Sequence, residues 1–246
     1  MSTKSHVPRL PLKKPLKEPH SSHSFLSDFI LGSQDGLVNV LGILLGISAA
    51  TSDVKLIFVA ALAALGAESI SMGAVAYTST VARRKQYLKE VEREETEMKE
   101  VPASELNEVR GVFKDWGYEG QDLESMTNRI VSNPKALLEF MMAFELKLSP
   151  IEPNEAKRSF GVVLSSTIFG SIIPLIPFFF VKSSAIAAGT IASVLLSGAV
   201  LFFIGAYEAK TTVGSIWRSG LTMMAIGLAA GFAGYLIGHV IGAVPA

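Results

Sequence analysis

The chain has 246 residues, of which 49% are hydrophobic, and it carries 22 acidic and 22 basic side chains. It contains no cysteine, which excludes disulfides and thiolate metal sites. Its balanced charge lacks the basic signature of a nucleic-acid-binding protein. Sixteen of the 22 acids and 13 of the 22 bases nevertheless fall within residues 81–159. This partition is typical of a membrane protein with one polar insert.

The first 24 residues carry five bases and four prolines, and we predict a disordered cytosolic tail there. Five apolar stretches follow, each longer than the ~20 residues that a helix needs to cross a bilayer. They are residues 25–50, 54–82, 159–181, 183–207 and 219–243. No stretch alternates with period two, so a transmembrane barrel is excluded and helices remain.

The predicted fold class is therefore an all-α integral membrane protein with five transmembrane helices. The first two helices occupy residues 25–82 and the last three occupy residues 159–246. A helical insert, residues 83–158, separates the two groups. Lys and Arg concentrate in the tail, at both ends of the insert and between the fourth and fifth spans, so the N-terminus and the insert are expected to be cytosolic.

The first span contains a carboxylate, Asp35, where a charge is costly unless it faces a bundle interior or a water-filled path. The alternative is that Asp35 lies close enough to a membrane surface to be solvated. If the first two spans form an antiparallel hairpin that turns near Ser52, then Asp35 shares its depth with Glu68. Met72 follows Glu68 by one turn on the same face, and Asn39 follows Asp35.

These donor types fit a path for a divalent metal. Carboxylates bind divalent cations, and the Met72 thioether would shift the preference from Mg²⁺ and Ca²⁺ toward transition metals. Two close carboxylates can also exchange a proton for a metal ion. Asn39 would add an amide oxygen. Considered alone, Met72 is an ordinary packing residue.

The insert begins as a helix that continues the second span, and its acids recur at helical spacing. The repeated acids are Glu90, Glu94 and Glu97, then Glu105 and Glu108 in a second helix that Ser104 is predicted to cap. After a turn near residues 116–120, another helix follows Asn133 and ends in Met141, Met142 and Glu145, which can point to one side.

Two interpretations of the acidic helices stay open. They are either solvated faces, with Arg93, Lys89 and Lys99 as internal partners, or metal ligands. A Glu-x-x-His pair of the kind found in di-iron bundles is absent, which argues against an oxidase centre.

The third and fifth spans carry features that affect packing. Pro174 and Pro177 predict a kink in the third span, which serves either packing or gating. The fifth span has a face of small residues that suits either internal packing or a homodimer contact. That face consists of Gly227, Gly231, Gly234 and Gly238.

Four stretches together resemble the vacuolar iron transporter family. They are residues 28–37, 70–73, 140–146 and 173–177, so the resemblance extends from near residue 25 to the fifth span. It implies a five-helix dimer that exchanges cytosolic Fe²⁺ for protons along a path at the dimer interface. The family's path Asp and Met fall on Asp35 and Met72.

The resemblance also implies that the insert is a metal-binding domain that feeds the path. The family's ligands fall on Glu94, Glu97, Glu105, Glu108, Met141, Met142 and Glu145. One residue departs from the pattern, because the family has an intramembrane Glu two turns before the Met. This chain has Ala64 there, and its Glu lies one turn later at Glu68, ~6 Å further along the helix.

Our leading hypothesis is a proton-coupled transporter, not an enzyme, that exports Fe²⁺, and Mn²⁺ as a second ion, from the cytosol. The alternatives are a membrane-anchored metal buffer or sensor without transport, and a structural membrane protein with a solvated insert. We expect a vacuolar membrane in a eukaryote and the plasma membrane in a prokaryote. The expected partners are divalent metal ions, protons, the lipid bilayer and a second copy of the chain, with no nucleic acid. No resident cofactor is expected beyond the transported metal and a divalent ion bound in the insert.

Overall fold

The computed structural model describes residues 22–242, and within that range the chain folds into eight α-helices without a strand. Their bounds are α1 Ser22–Ala50, α2 Val54–Glu100, α3 Pro102–Asp115, α4 Gly120–Val131, α5 Pro134–Phe140, α6 Glu155–Ile172, α7 Ile186–Thr211 and α8 Ile216–Gly242. Five helical segments are long and apolar enough to cross a membrane. Residues 1–21 of the predicted tail lie outside the described residues.

Helices α1 and α2 form the predicted hairpin, and Asp53 defines the start of α2. The carboxylate of Asp53 accepts a hydrogen bond from the Lys55 amide at 2.8 Å, which caps the helix. Helix α2 then continues unbroken for 47 residues. At ~70 Å it is more than twice as long as the ~30 Å hydrocarbon layer is thick. The prediction that the second span continues into the insert is confirmed.

Helix α1 is the central helix of the bundle, and its glycines permit close packing on two sides. A Cβ on Gly36 would lie 2.6 Å from the Ser171 hydroxyl of α6. A Cβ on Gly46 would lie 2.9 Å from the Gly234 carbonyl of α8. The small-residue face of α8 therefore packs inside the chain against α1, which decides between the two uses that the sequence left open for it.

The two prolines change the type of the helix in the third span. Helix α6 ends at Ile172, and Ile173–Phe180 continues it as a tighter 3-10 helix. Proline lacks the amide proton that an α-helical hydrogen bond requires, so carbonyls in this turn need other donors. The buried Ser193 hydroxyl of α7 donates to the Pro174 carbonyl at 2.5 Å.

The insert consists of the end of α2 together with α3, α4, α5 and a π-helical turn, Met141–Glu145. Its small apolar core consists of Val109, Phe113, Leu137, Phe140 and Met141. Helix α4 was not predicted from the sequence. The predicted cap at Ser104 is wrong, because α3 begins at Pro102 and the Ser104 hydroxyl donates instead to the Glu108 carboxylate at 3.1 Å.

Candidate metal path and metal-binding insert

The first candidate site lies where α1 and α2 face each other within the membrane-spanning region. The glycines of α1 occupy its sides toward α6 and α8, whereas Asp35 and Asn39 approach α2. The Asn39 amide donates to the Asp35 carboxylate at 3.4 Å. The Glu68 carboxyl of α2 lies close enough to Asp35 and Asn39 to interact electrostatically with both. The structure thus brings together the two carboxyls for which helix counting predicted a common depth.

All three of these polar side chains are only partly buried, so ions or water can approach them. Met72 is half-buried one turn further along α2, between Glu68 and the insert. Ala64 lies one turn before Glu68 and offers no ligand atom. Two carboxylates this close repel one another, and either a bound proton or a bound cation relieves that repulsion. The arrangement is therefore suited to hold a proton or a metal in turn.

The second candidate site lies in the insert, where helices α2 and α3 converge. One carboxylate oxygen from each of Glu94, Glu97 and Glu105 lies within 4.8 Å of the other two. Glu94 and Glu105 are each only 1% exposed. One oxygen of each is buried without a hydrogen-bond partner. Buried carboxylate oxygens without a partner are rare and costly in folded proteins, so the cluster is a candidate site for a cation.

The electrostatics of this cluster extend to two more glutamates. Burial, followed by the charges of Glu108 and Glu94, raises the pKa of Glu105 to about 7. Partial burial and the same two neighbours raise the pKa of Glu145 to about 7, although much of its side chain remains exposed. The structure therefore gathers all five predicted glutamate ligands into one interacting group.

One cation lies at the edge of this group. The Arg93 guanidinium contacts the Glu94 and Glu90 carboxylates at 3.1 Å each and that of Glu97 at 3.7 Å. The expectation that Arg93 pairs with the acidic face is thus met, while Glu105 keeps a buried oxygen without a partner. The cluster is both internally paired and incompletely satisfied.

Met141 and Met142 were predicted to point to one side together with Glu145, but both are buried whereas Glu145 is exposed. Met141 is fully buried and belongs to the apolar core of the insert, and Met142 is 3% exposed. Both lie in the π-helical turn, where the Leu146 amide bonds to the Met141 carbonyl at 3.0 Å. π-helical turns are rare and are frequently found at functional sites. A single wide turn cannot be recognised from the spacing of residues in the sequence.

The structure contains a third polar feature that was not predicted from the sequence. Two adjoining cavities of ≈ 370 and ≈ 460 Å³ lie between α1, α7 and α8, and both are lined by Gln34 and Glu208. Arg218 lines the first of them. The sequence offered one signal, a lone acid directly after the fourth apolar stretch, but the predicted span ended at Tyr207, just before it.

Comparison with known proteins identifies relatives of this chain. The sequence model of the VIT family matches residues 26–239. Vacuolar iron transporter 2 of Oryza sativa subsp. japonica is 32% identical over 227 residues, which cover 92% of each chain. Vacuolar iron transporter 1 of Arabidopsis thaliana is 29% identical over 236 residues, or 94% of each chain. The vacuolar iron transporter of Plasmodium falciparum is 28% identical over 224 residues, which cover 88% of this chain and 82% of that protein.

Proposed function

Because this chain belongs to the VIT family, we propose that it is a proton-coupled transporter that removes Fe²⁺ from the cytosol. Mn²⁺ is the second proposed cargo, since carboxylate and thioether ligands accept both ions. The destination is a vacuole-like compartment in a eukaryote or the exterior of a prokaryotic cell. The observation that carries the proposal is the closeness of Glu68 to Asp35 and Asn39 between two membrane-spanning helices.

The intramembrane site supplies the exchange. A metal ion that reaches Asp35 and Glu68 replaces the proton that otherwise separates their charges, and release of the metal allows that proton to return. Asn39 adds an amide oxygen, and Met72 adds a soft ligand on the side of the insert. Glu68 takes the role of the Glu that the family carries at the position of Ala64.

The insert supplies the metal. Glu68 and Glu94 lie 26 residues apart on the continuous helix α2, ~39 Å along its axis. A metal captured by the glutamate cluster is thus held by the same rigid element that carries half of the path. Lys and Arg at both ends of the insert support a cytosolic position for residues 83–158 and for the N-terminus.

A second copy of the chain completes the path in this proposal. Helix α2 carries exposed apolar side chains along its membrane-spanning part, including Val59 at 65%, Ile70 at 64% and Val75 at 55% exposed. The Asp35 and Glu68 carboxyls are only half-buried beside this surface. A homodimer that packs α2 against its partner would close the site toward lipid.

Transport is tested with purified protein in liposomes that contain a metal-quenched dye, with and without an inward-acidic pH gradient. Asp35→Asn should reduce Mn²⁺ and Fe²⁺ uptake at least ~10-fold, because it removes a charged ligand of the ion. Asp53→Asn is the matched control, since Asn caps a helix as well as Asp does and the residue lies outside the path. Equal uptake by Asp35→Asn and the parent protein would contradict the assigned path.

A membrane-anchored metal buffer is the second candidate function, and the unsatisfied oxygens of Glu94 and Glu105 favour it as far as binding is concerned. It predicts metal binding by the full-length protein in nanodiscs without uptake into liposomes. The same uptake measurement separates the two candidates.

A further inference from the structure

The guanidinium of Arg93 lies against the glutamate cluster. It contacts Glu90 and Glu94 at 3.1 Å and Glu97 at 3.7 Å. Two of these three carboxylates also belong to the group whose oxygens converge within 4.8 Å. The guanidinium contacts Oε1 of Glu94, whereas Oε2 of the same carboxylate has no hydrogen-bond partner. A divalent ion bound among the converging carboxylates would therefore lie close to the guanidinium, and the two positive charges repel.

We propose that Arg93 is a tethered competitor of the metal: it holds Glu94 and Glu97 while the site is empty and releases them when a divalent ion binds. The inference rests on the proposed metal-binding role of the insert and adds a residue that sets the concentration at which the site fills. Arg93 is therefore a positioning and threshold residue and not itself a metal ligand.

The surroundings of Arg93 allow this movement. Its side chain is 49% exposed, whereas that of Glu94 is 1% exposed. The ligand is thus held in place by burial, while the arginine lies on a flexible stem that solvent can accept. Glu90 is not one of the three converging carboxylates, so it can retain the guanidinium after Glu94 and Glu97 have turned to the metal.

Competition lowers the apparent affinity for every divalent ion by the same factor. An ion with a high intrinsic affinity for carboxylates and thioethers still fills the site at low concentration. A hard, strongly hydrated ion such as Mg²⁺, which dehydrates reluctantly, then fails to displace the arginine. Arg93 thereby keeps the glutamate cluster free of Mg²⁺ without having to exclude it by size.

Two other roles for Arg93 predict different effects of its removal on metal affinity. If Arg93 were a clamp that orients Glu94 for the metal, its removal would weaken metal binding. If Arg93 were a surface ion pair without consequence, its removal would leave metal binding unchanged. The sign of a single affinity change therefore separates competition from both alternatives.

The test is calorimetric titration of Mn²⁺, and of Fe²⁺ without oxygen, into the full-length protein in nanodiscs. All samples carry Asp35→Asn, so that the path does not add its own binding. Arg93→Gln should tighten Mn²⁺ binding ~10-fold or more, because a charge-assisted contact no longer has to be broken. Arg93→Lys should remain within a few-fold of the parent, since it retains the competing charge.

The matched control is Arg110→Gln, which removes a cation of the same insert that pairs with Glu124 at 2.8 Å rather than with Glu94, Glu97 or Glu105. It should leave the affinity for Mn²⁺ unchanged. Arg93→Met, which keeps an unbranched helix-compatible stem, repeats the measurement if Arg93→Gln loses helicity by circular dichroism. Weaker or unchanged binding in the Arg93 variants would overturn the competitor role. If the parent protein bound no metal and Glu105→Gln changed nothing, the metal-binding role of the insert itself would fall.

Discussion

At the residue scale, the candidate path depends on a contact that the sequence predicts by simple counting. A helix rises ~1.5 Å per residue, so an antiparallel hairpin brings together positions equally distant from its turn. Asp35 and Glu68 fulfil that condition, and their carboxyls lie close enough to interact electrostatically. The burial of Glu94 and Glu105 could not be predicted in this way, because it depends on how α3 docks against α2. Local spacing shows only that acids share a face.

The raised pKa values in the insert predict pH-dependent metal binding. Carboxyls with a pKa of about 7, such as Glu105 and Glu145, are roughly one-tenth ionised at pH 6 and nine-tenths ionised at pH 8. Metal binding must expel their protons, so Mn²⁺ affinity should fall ~10-fold per group between pH 8 and pH 6. Calorimetry in two buffers of different ionisation enthalpy measures both the affinity and the protons released.

Glu105→Gln provides the control for this pH dependence, since it removes one of the two titrating groups. An affinity that is the same at both pH values would contradict the prediction. The same pKa shifts have the opposite effect on the folding stability of the metal-free protein, which falls as the pH rises. Because the folded-state pKa of each group lies above its ordinary value of 4.5, their contribution to stability is complete below about pH 4.5 and is lost as the pH rises through about 7.

At the element scale, α1 organises the bundle and its glycines determine how closely the other helices approach. The sequence predicts the five spans well, because long apolar runs have few alternatives in a membrane. The interpretation of the sequence missed α4, although apolar residues recur in it every three to four positions and pack against the core of the insert. The π-helical turn at Met141–Glu145 was not predicted either. Pro102 suits the first turn of a helix, which explains why α3 begins before the predicted cap at Ser104.

The close approach of α1 and α8 predicts a large difference between two glycine substitutions. A Cβ at Gly46 would lie 2.9 Å from the backbone carbonyl of Gly234, which cannot move without shifting α8. Gly46→Ala should therefore destabilise the protein by about 1–3 kcal/mol. In a chain of this size that corresponds to a loss of about 5 °C in melting temperature, measured in detergent by circular dichroism.

Gly111→Ala is the matched control, because it lies in α3 with no heavy atom within 4 Å of the added Cβ. Alanine in a helix interior is better than glycine by about 1 kcal/mol, so this variant should be as stable as the parent or more stable. Equal melting temperatures for the two variants would show that α1 and α8 do not pack as described.

At the scale of the whole molecule, the distribution of charge and the length of α2 link the insert to the intramembrane carboxyls. The acids and bases concentrate in the insert, and a single helix of 47 residues joins the insert to the intramembrane carboxyls. The VIT family model matches residues 26–239, a range that contains both the insert and the intramembrane carboxyls. Four short motifs in the sequence were sufficient to predict this family. The helical architecture follows from the sequence. Proton exchange, the orientation of the chain in the membrane and dimer formation are proposals that require functional experiments.

The most direct test of the central claim measures metal and proton movement in the same vesicles. Liposomes containing the purified protein, a pH-sensitive dye and a Mn²⁺-sensitive dye are exposed to external Mn²⁺. The account predicts that Mn²⁺ entry is accompanied by proton exit, and that Glu68→Gln and Asp35→Asn lose both fluxes while Asp53→Asn retains both. Metal entry without proton exit in the parent protein, or undiminished coupled flux in Glu68→Gln, would contradict it.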